Sequence, residues 1–316
     1  MAKIIVLGDA CVDMLIRLPD RQAEKLDLTK SEPQTQGGGT AANSAVALSR
    51  LGSEVHMISV VGDDGYGRWI IQDLQSEKIN TDSVHMVYDA FTSMVMALIE
   101  PDGERLVVVW PPDGGSQNQI EKKHFDSTLL SDKNWLHTTG MCLRASPSRE
   151  SILYGMQQAR EAGLTVSIDL NMRLELWGLD ATTRSIFLKA VELADFVFGN
   201  AEEEIIPLSG KNTLEEAVRE LGDNKRAIIA RMGTKGTFIS SPKFNTQIKT
   251  FEVEEVVDTL GAGDAFNSGF ISAILAGHDL HEAGRWGNAV AALKVTKTGA
   301  RSTPTRKELD QFLNNL

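Results

Sequence analysis

Cysteine is scarce in this 316-residue chain, and the two present, Cys11 and Cys142, stand far apart without metal-ligand spacing. That excludes a disulfide framework or a zinc knuckle and predicts two packed thiols in a reducing compartment. Basic residues are also few: 32 Lys and Arg against 43 Asp and Glu give a formal net charge of -11. A phosphate backbone needs clustered cations, so a nucleic-acid partner is excluded. Long apolar runs are lacking too. The first eight residues carry one Lys and only the run Ile4–Leu7, too short for an export signal or a bilayer span. The expectation is a cytoplasmic protein with no membrane partner. The chain has no G-x-x-x-x-G-K-[ST] phosphate loop, no G-x-S-x-G nucleophile turn, no internal repeat and no low-complexity tract.

What is present is a 42% hydrophobic composition, enough for a large core. Short apolar runs at 3–8, 54–62, 134–140, 164–170, 195–200 and 226–231 alternate with helix-like segments such as 41–52, 148–163, 182–194, 262–277 and 282–297. That rhythm predicts an α/β fold with a mostly parallel sheet covered by helices on both faces. Two extended stretches interrupt it, 14–19 and 92–110, the second with a turn at Pro101-Asp102-Gly103. They predict a small β lid, about 14–36 and 91–112, on a single domain of 1–316; the alternative is a hairpin that extends the main sheet. The stretch Phe251–Val257 alternates like a strand.

The chemistry concentrates in Val256–Phe266, which leads from that stretch into an apolar helix. Gly261 and Gly263 permit a tight turn and leave amides at the helix start open, where they and the helix dipole can hold charge on a phosphoryl group. Asp264 falls in the first helical turn, a position expected to favour its anion and leave it a weak base that orients a hydroxyl. The plain alternative is a tight turn and a helix-terminal charge.

The whole run Asp258-Thr259-Leu260-Gly261-Ala262-Gly263-Asp264 is similar to D-T-x-G-A-G-D, a signature of the ribokinase-like (PfkB) carbohydrate kinases. Their other signature, a Gly-Gly pair before an Asn on a helix, resembles Gly38-Gly39-Thr40-Ala41-Ala42-Asn43. Adjacent glycines let a polar ligand approach backbone, and Asn43 offers both donor and acceptor. A dinucleotide site is the rival reading, weakened because the polar residues 31–36 precede these glycines instead of an apolar strand. Thr40 replaces the Lys of ribokinase, and Cys11 its Asn.

The resemblance implies further positions along nearly the whole chain. Gly8-Asp9 and Asp13 look like the sugar-hydroxyl site, with Asp13 preferred. Asp169-Leu170-Asn171-Met172-Arg173, with Trp177, resembles the D-P-N-x-R segment of keto-deoxygluconate kinases and fructokinases. Arg173 is then a contact for phosphate or a substrate carboxylate. Asn200 and Glu203 match N-x-x-E, which implies nucleotide contact and Mg²⁺ held through water. Gly233 and Gly236 fall in the nucleotide-binding turn, where Arg231 departs from the family Thr, and Asn288 and Thr298-Gly299-Ala300 fall on the adenine side. K⁺ near Asp258 is implied as well.

The implied reaction is transfer of the ATP γ-phosphoryl group to a hydroxyl of a ribose-, fructose- or 2-keto-3-deoxygluconate-like sugar. Gly261, Ala262 and Gly263 would hold the moving group and Asp264 would align the acceptor. A nucleoside or sugar-phosphate kinase, with Arg17 and Arg105 as phosphate contacts, and a non-catalytic sugar-binding protein are the alternatives. A lid with an uncovered edge implies a homodimer. His278 and His281 could form a metal pair, but a helix end explains them better. Independently of family, Asp9, Asp169, Asn200, Gly233 and Gly261 all follow predicted strands, the edge where open α/β sheets bind ligands.

Overall fold

The computed structural model describes residues 2–20, 25, 27–29, 31–101, 104–112 and 115–315, apart from the side chain of Arg105. Among them are strands β1 (Lys3–Leu7), β2 (Cys11–Arg17), β3 (Gln34–Gly38), β4 (Glu54–Gly62), β5 (Asn80–Val87), β6 (Met94–Ile99), β7 (Arg105–Trp110), β8 (Trp135–Thr139), β9 (Thr165–Asp169), β10 (Phe196–Asn200), β11 (Ala227–Arg231), β12 (Thr237–Ser241) and β13 (Phe244–Ile248). The α-helices are α1 (Thr40–Arg50), α2 (Gly65–Ser76), α3 (Ser148–Glu161), α4 (Leu174–Trp177), α5 (Ala181–Leu193), α6 (Ile206–Ser209), α7 (Leu214–Gly222), α8 (Ala262–Leu275), α9 (Leu280–Val295) and α10 (Arg306–Asn314).

Nine strands form one sheet in the order β13-β12-β11-β10-β9-β8-β1-β4-β5. It is parallel from β11 to β5, and β12 and β13 close one edge antiparallel. Strand parity divides the core. Ile4, Val6, Trp135 and Phe198 face one side, where α1, α8 and α9 pack, while Ile5, Leu7, Leu136 and Val197 face the other with α3, α5 and α7. Both faces are apolar, so the strands read as continuous hydrophobic runs. The expected α/β fold, a mostly parallel sheet covered by helices on both faces, is the one observed.

A second sheet, β3-β2-β6-β7, carries the interruptions. Here β2 pairs antiparallel with β3 and parallel with β6, and β6 pairs antiparallel with β7. Asp102 and Gly103 of the expected turn lie outside the described residues; the arms meet through Glu100 N–H donating to the Glu104 carbonyl at 2.8 Å. β2 begins at Cys11, three residues before the extended stretch read from sequence.

One expectation needs correction. The alternating stretch Phe251–Val257 is not a strand: β13 ends at Ile248, and Val257 N–H bonds to the Val295 carbonyl of α9 (2.8 Å) instead of a neighbouring strand. Its valines 256 and 257 are exposed. The outer strands β5, β12 and β13 were not foreseen, because their largely polar sequences lack the apolar runs of the central strands. Among the described residues no helix is long and apolar enough to cross a membrane.

Candidate active site

The carboxyl ends of β9, β10 and β11 and the start of α8 frame a cleft of about 1010 Å³. Gly261 has φ 76° and ψ 5°, and a Cβ there would lie 2.6 Å from the Ala300 carbonyl oxygen, so a side chain is excluded on both counts. The turn it makes brings Ala262 N–H onto the Thr259 carbonyl at 3.1 Å. This corrects the expectation that all three amides of 261–263 point outward. Gly261, Gly263 and Asp264 keep N–H groups with no acceptor among the described residues, as expected at a helix start.

Asp264 stands in the first turn of α8 at the floor of the cleft and is 7% exposed. Burial, reinforced by the nearby Asp169 charge, raises its carboxyl from 3.8 to about 8. This too is a correction: desolvation outweighs the helix dipole, so the local position does not leave Asp264 with a lowered pKa. Its Oδ2 accepts from Asn43 Nδ2 at 3.0 Å, a bond that favours the anion. Asn43 lies on α1, which packs beside α8 through Ser268 Oγ donating to the Ser44 carbonyl.

Behind this pair lies the substrate side expected from the Gly-Gly signature. Gly38 closes on Asp13, whose Oδ1 would be 2.2 Å from a Cβ at 38. Burial raises the Asp13 carboxyl to about 6 against the opposing charge of Arg301, and Cys11 Sγ lies 3.7 Å from its Oδ1. Asp9 has a different task. Its carboxylate accepts from Thr40 N–H (2.7 Å), Thr40 Oγ (3.0 Å) and Ala41 N–H (3.1 Å), capping α1 just after Gly39. Asp13, Gly38, Gly39 and Asn43 thus lie beyond Asp264, outside the cleft lining.

Of the other expected residues, Arg173, Asn200, Glu203, Gly233, Gly236 and Asn288 line the cleft. Arg173, exposed and left-handed at φ 49°, sits at its rim beside α4. Asn200 Oδ1 accepts from the amides of Glu202 (2.9 Å) and Glu203 (3.0 Å), which fixes the helix start that carries Glu203. The Glu203 carboxylate lines the cleft and takes no hydrogen bond from the described residues. Gly233 and Gly236 bound the turn between β11 and β12. Asn288 is buried at the cleft wall, holding the Ile248 and Lys249 carbonyls through Nδ2 and accepting from Thr237 Oγ. Asp258 lies behind the turn, its carboxylate accepting from Leu260 N–H (3.0 Å) and Gly299 N–H (2.9 Å). His278 lies tilted against Trp286 with ring centroids 4.9 Å apart, and no metal-binding cluster of His, Cys, Asp or Glu occurs among the described residues.

Sequence reasoning missed the cation under the cleft. Arg231, set aside there because it departs from the family residue, donates to both oxygens of Asp169 (2.9 and 2.8 Å) and to Asn267 Oδ1 (2.8 Å), with Glu204 at 3.7 Å. Burial would lower the guanidinium pKa, but Asp169 and Glu204 hold it above its ordinary value. Burial likewise pushes Asp169 up, and the Arg231 charge overbalances it and keeps the carboxyl below its usual range. Glu204 goes the other way, raised by burial and by Asp169 although it accepts from Met172 and Asn200 amides. Arg301 was also missed: it donates to Asn43 Oδ1 (3.2 Å), the Gly38 carbonyl (2.8 Å) and Asp73. Its position two residues after Gly299 was the available signal.

A cleft at the carboxyl edge of a parallel sheet, with open helix-start amides beside a buried carboxylate, stands where open α/β enzymes bind their ligands. The model of the pfkB family carbohydrate kinases matches residues 1–307, and the chain belongs to that family. It is 29% identical over 322 residues to a fructokinase of Vibrio alginolyticus, covering 99% of each chain. To a 5-dehydro-2-deoxygluconokinase of Photobacterium profundum it is 30% identical over 319 residues, covering 98% of this chain and 94% of that one. Among solved structures, a double-mutant fructokinase of Vibrio cholerae O395 bound to fructose, ADP and potassium ion superposes with a TM-score of 0.84. That pair is 28% identical, over 99% of this chain and 98% of the other. The protein is a carbohydrate kinase, a transferase that acts on a hydroxyl group of a sugar.

Proposed function

We propose that this kinase transfers the γ-phosphoryl group of ATP to a hydroxyl of a fructose-like or 2-keto-3-deoxygluconate-like sugar, with Asp264 as the base. The observation that carries the reading is the buried Asp264 carboxylate, raised to about 8, held by Asn43 and set beside the open amides of Gly261 and Gly263. The triphosphate lies along the cleft between Gly233 and Gly261, with Gly236 and Asn288 toward the base. The Gly261 and Gly263 amides meet the charge that develops on the moving phosphoryl group, and the Ala262 amide supports the turn. Asp264 accepts the proton of the attacking hydroxyl, while Asp13 and Asn43 orient the sugar. Arg173, at the rim, meets either the phosphates or a carboxylate on the sugar.

The oxygen donors at the rim fit a hard divalent ion. Glu203 would hold Mg²⁺ through water, and the ion would neutralise phosphate charge there. K⁺ at Asp258, implied by the family resemblance, fits less well, because the Lys294 ammonium group already donates to the Asp258 carbonyl at 2.7 Å. The lid sheet exposes Leu106, Val107, Val109 and Trp110 on β7, an apolar strand suited to pairing with a second copy. Two buried free thiols suit a cytoplasmic location.

ADP release screened over pentoses, hexoses, keto-sugar acids and nucleosides tests the reading. Asp264→Asn should lower turnover on the best sugar by about 10²–10⁴-fold while ATP still binds. Turnover that survives the substitution excludes Asp264 as the base. Preference for a nucleoside replaces the acceptor assignment.

A further inference from the structure

Lys294 is the least expected side chain in the molecule. It lies in the last turn of α9, is 0% exposed and ranks in size with the core phenylalanines, yet it ends in an amine. Its Nζ donates to the Asp258 carbonyl at 2.7 Å. The same junction is closed from the other direction: Val257 and Asp258 N–H groups donate to the Val295 carbonyl (2.8 and 3.1 Å), and Gly299 N–H donates to Asp258 Oδ2 (2.9 Å). Three residues after Asp258 comes Gly261, where the phosphoryl-binding turn begins.

Three features of this position favour a fixed positive charge. The C-terminal end of α9 presents carbonyl oxygens and the negative end of a helix dipole. Burial lowers the pKa of the amine below its ordinary value, and the nearby Asp258 and Asp264 carboxylates oppose that lowering without cancelling it. An ammonium group is also close in size to K⁺, and carbonyl oxygens that replace the hydration shell of one can serve the other.

We propose that Lys294 is a built-in monovalent cation: it holds the Asp258 carbonyl under the phosphoryl-binding turn and makes the kinase independent of K⁺. Lys294 acts through that turn and touches no reacting atom, so it is a positioning residue. The inference rests on the kinase reading above, and its test is arranged so that the two can fail separately.

Wild-type ADP release on its best sugar is compared in potassium chloride and in tetramethylammonium chloride at equal ionic strength. The proposal expects rates equal within about twofold; stimulation by K⁺ of about tenfold or more overturns it. Two variants separate charge from space. Lys294→Met keeps the volume and removes the charge, whereas Lys294→Ala opens room for an ion. Both should lose at least about tenfold in kcat with little change in the KM for ATP. K⁺ or ammonium should restore the alanine variant but not the methionine variant, and Li⁺ should restore neither. Full activity of either variant without added cation overturns the proposal. A second readout needs no turnover: with Mg-ATP present, KCl should raise the Tm of Lys294→Ala over tetramethylammonium chloride and leave wild type unmoved. Equal response of the two proteins overturns it. If the variants do not fold, the wild-type comparison decides. If wild type releases no ADP with any sugar, the kinase reading fails, and the melting experiment still judges Lys294.

Discussion

Asn43 Nδ2 donates to Asp264 Oδ2 at 3.0 Å, and the orientation of that amide is dictated from its other end. Arg301 Nε donates to Asn43 Oδ1 at 3.2 Å, and a guanidinium can only donate, so the amide nitrogen must face Asp264. The bond favours the charged carboxylate against burial and Asp169, which both raise its pKa.

Removing the amide should therefore move Asp264 further from neutrality. In Asn43→Ala the rising limb of the pH profile of kcat/KM, expected near pH 8 in the wild type, should shift alkaline by about one unit, with a roughly tenfold loss at pH 7. Rates measured from pH 6 to 10 check this. An unshifted limb with a uniform loss would mean that Asn43 only touches the sugar.

The same carboxyl links activity to stability. Its folded pKa, about 8, lies above the ordinary 3.8, so between those values the folded protein retains a proton that the unfolded chain has released. Stability contributed through Asp264 is full below about pH 4 and declines as pH rises toward 8. Asp264→Asn removes the charge and keeps a group that can face Asn43. It should raise Tm by on the order of 5 °C at pH 8 and by nothing near pH 4. Thermal melts of both proteins across that range are the measurement, and a constant difference would refute the coupling.

Arg231 makes a different prediction, because its partners are buried carboxylates. Asp169 is 3% exposed and Glu204 7%, and the fork of Arg231 satisfies both oxygens of Asp169. Arg231→Met leaves buried carboxylates without their cation and should cost about 3–5 kcal/mol in urea unfolding. Arg231→Met combined with Asp169→Asn should recover part of that loss. Additive losses in the double variant would mean the pair is not coupled.

The contrast between these residues explains what could be read in advance. The central strands were legible because two buried faces force continuous apolar runs, as in Ile4–Leu7 and Ile228–Ala230. The turn at 261–263 and Asp264 were legible because backbone geometry restricts which residues can stand there. Phe251–Val257 misled because alternation marks a strand only when a neighbouring strand is available, and α9 takes that role here. Arg231, Arg301 and Lys294 were hidden for a shared reason. A buried cation is defined by partners distant in sequence, at 169, 43 and 258, and apart from the place of Arg301 two residues after Gly299 no local pattern announces them. The strength of Asp264 as a base was hidden likewise, since burial set it against the local helix dipole.

The proposed phosphoryl-binding turn and the proposed nucleotide turn should separate in kinetics, because their glycines are constrained differently. Gly261 combines φ 76° with Ala300 backbone oxygen 2.6 Å from a would-be Cβ, so Gly261→Ala must move the turn. Displaced amides lose the transition state more than the ground state, so kcat should fall by about 10²-fold or more while ATP affinity changes little. Gly233 has φ 57° but open space around its Cβ, so Gly233→Ala carries only local backbone strain. Its expected effect is a weaker hold on ATP, a rise in KM of a few fold with kcat kept. Calorimetric ATP binding and steady-state rates on both variants distinguish these outcomes. If Gly261→Ala raised KM alone, the turn would be a ground-state phosphate contact and the transferring group would have to be held elsewhere.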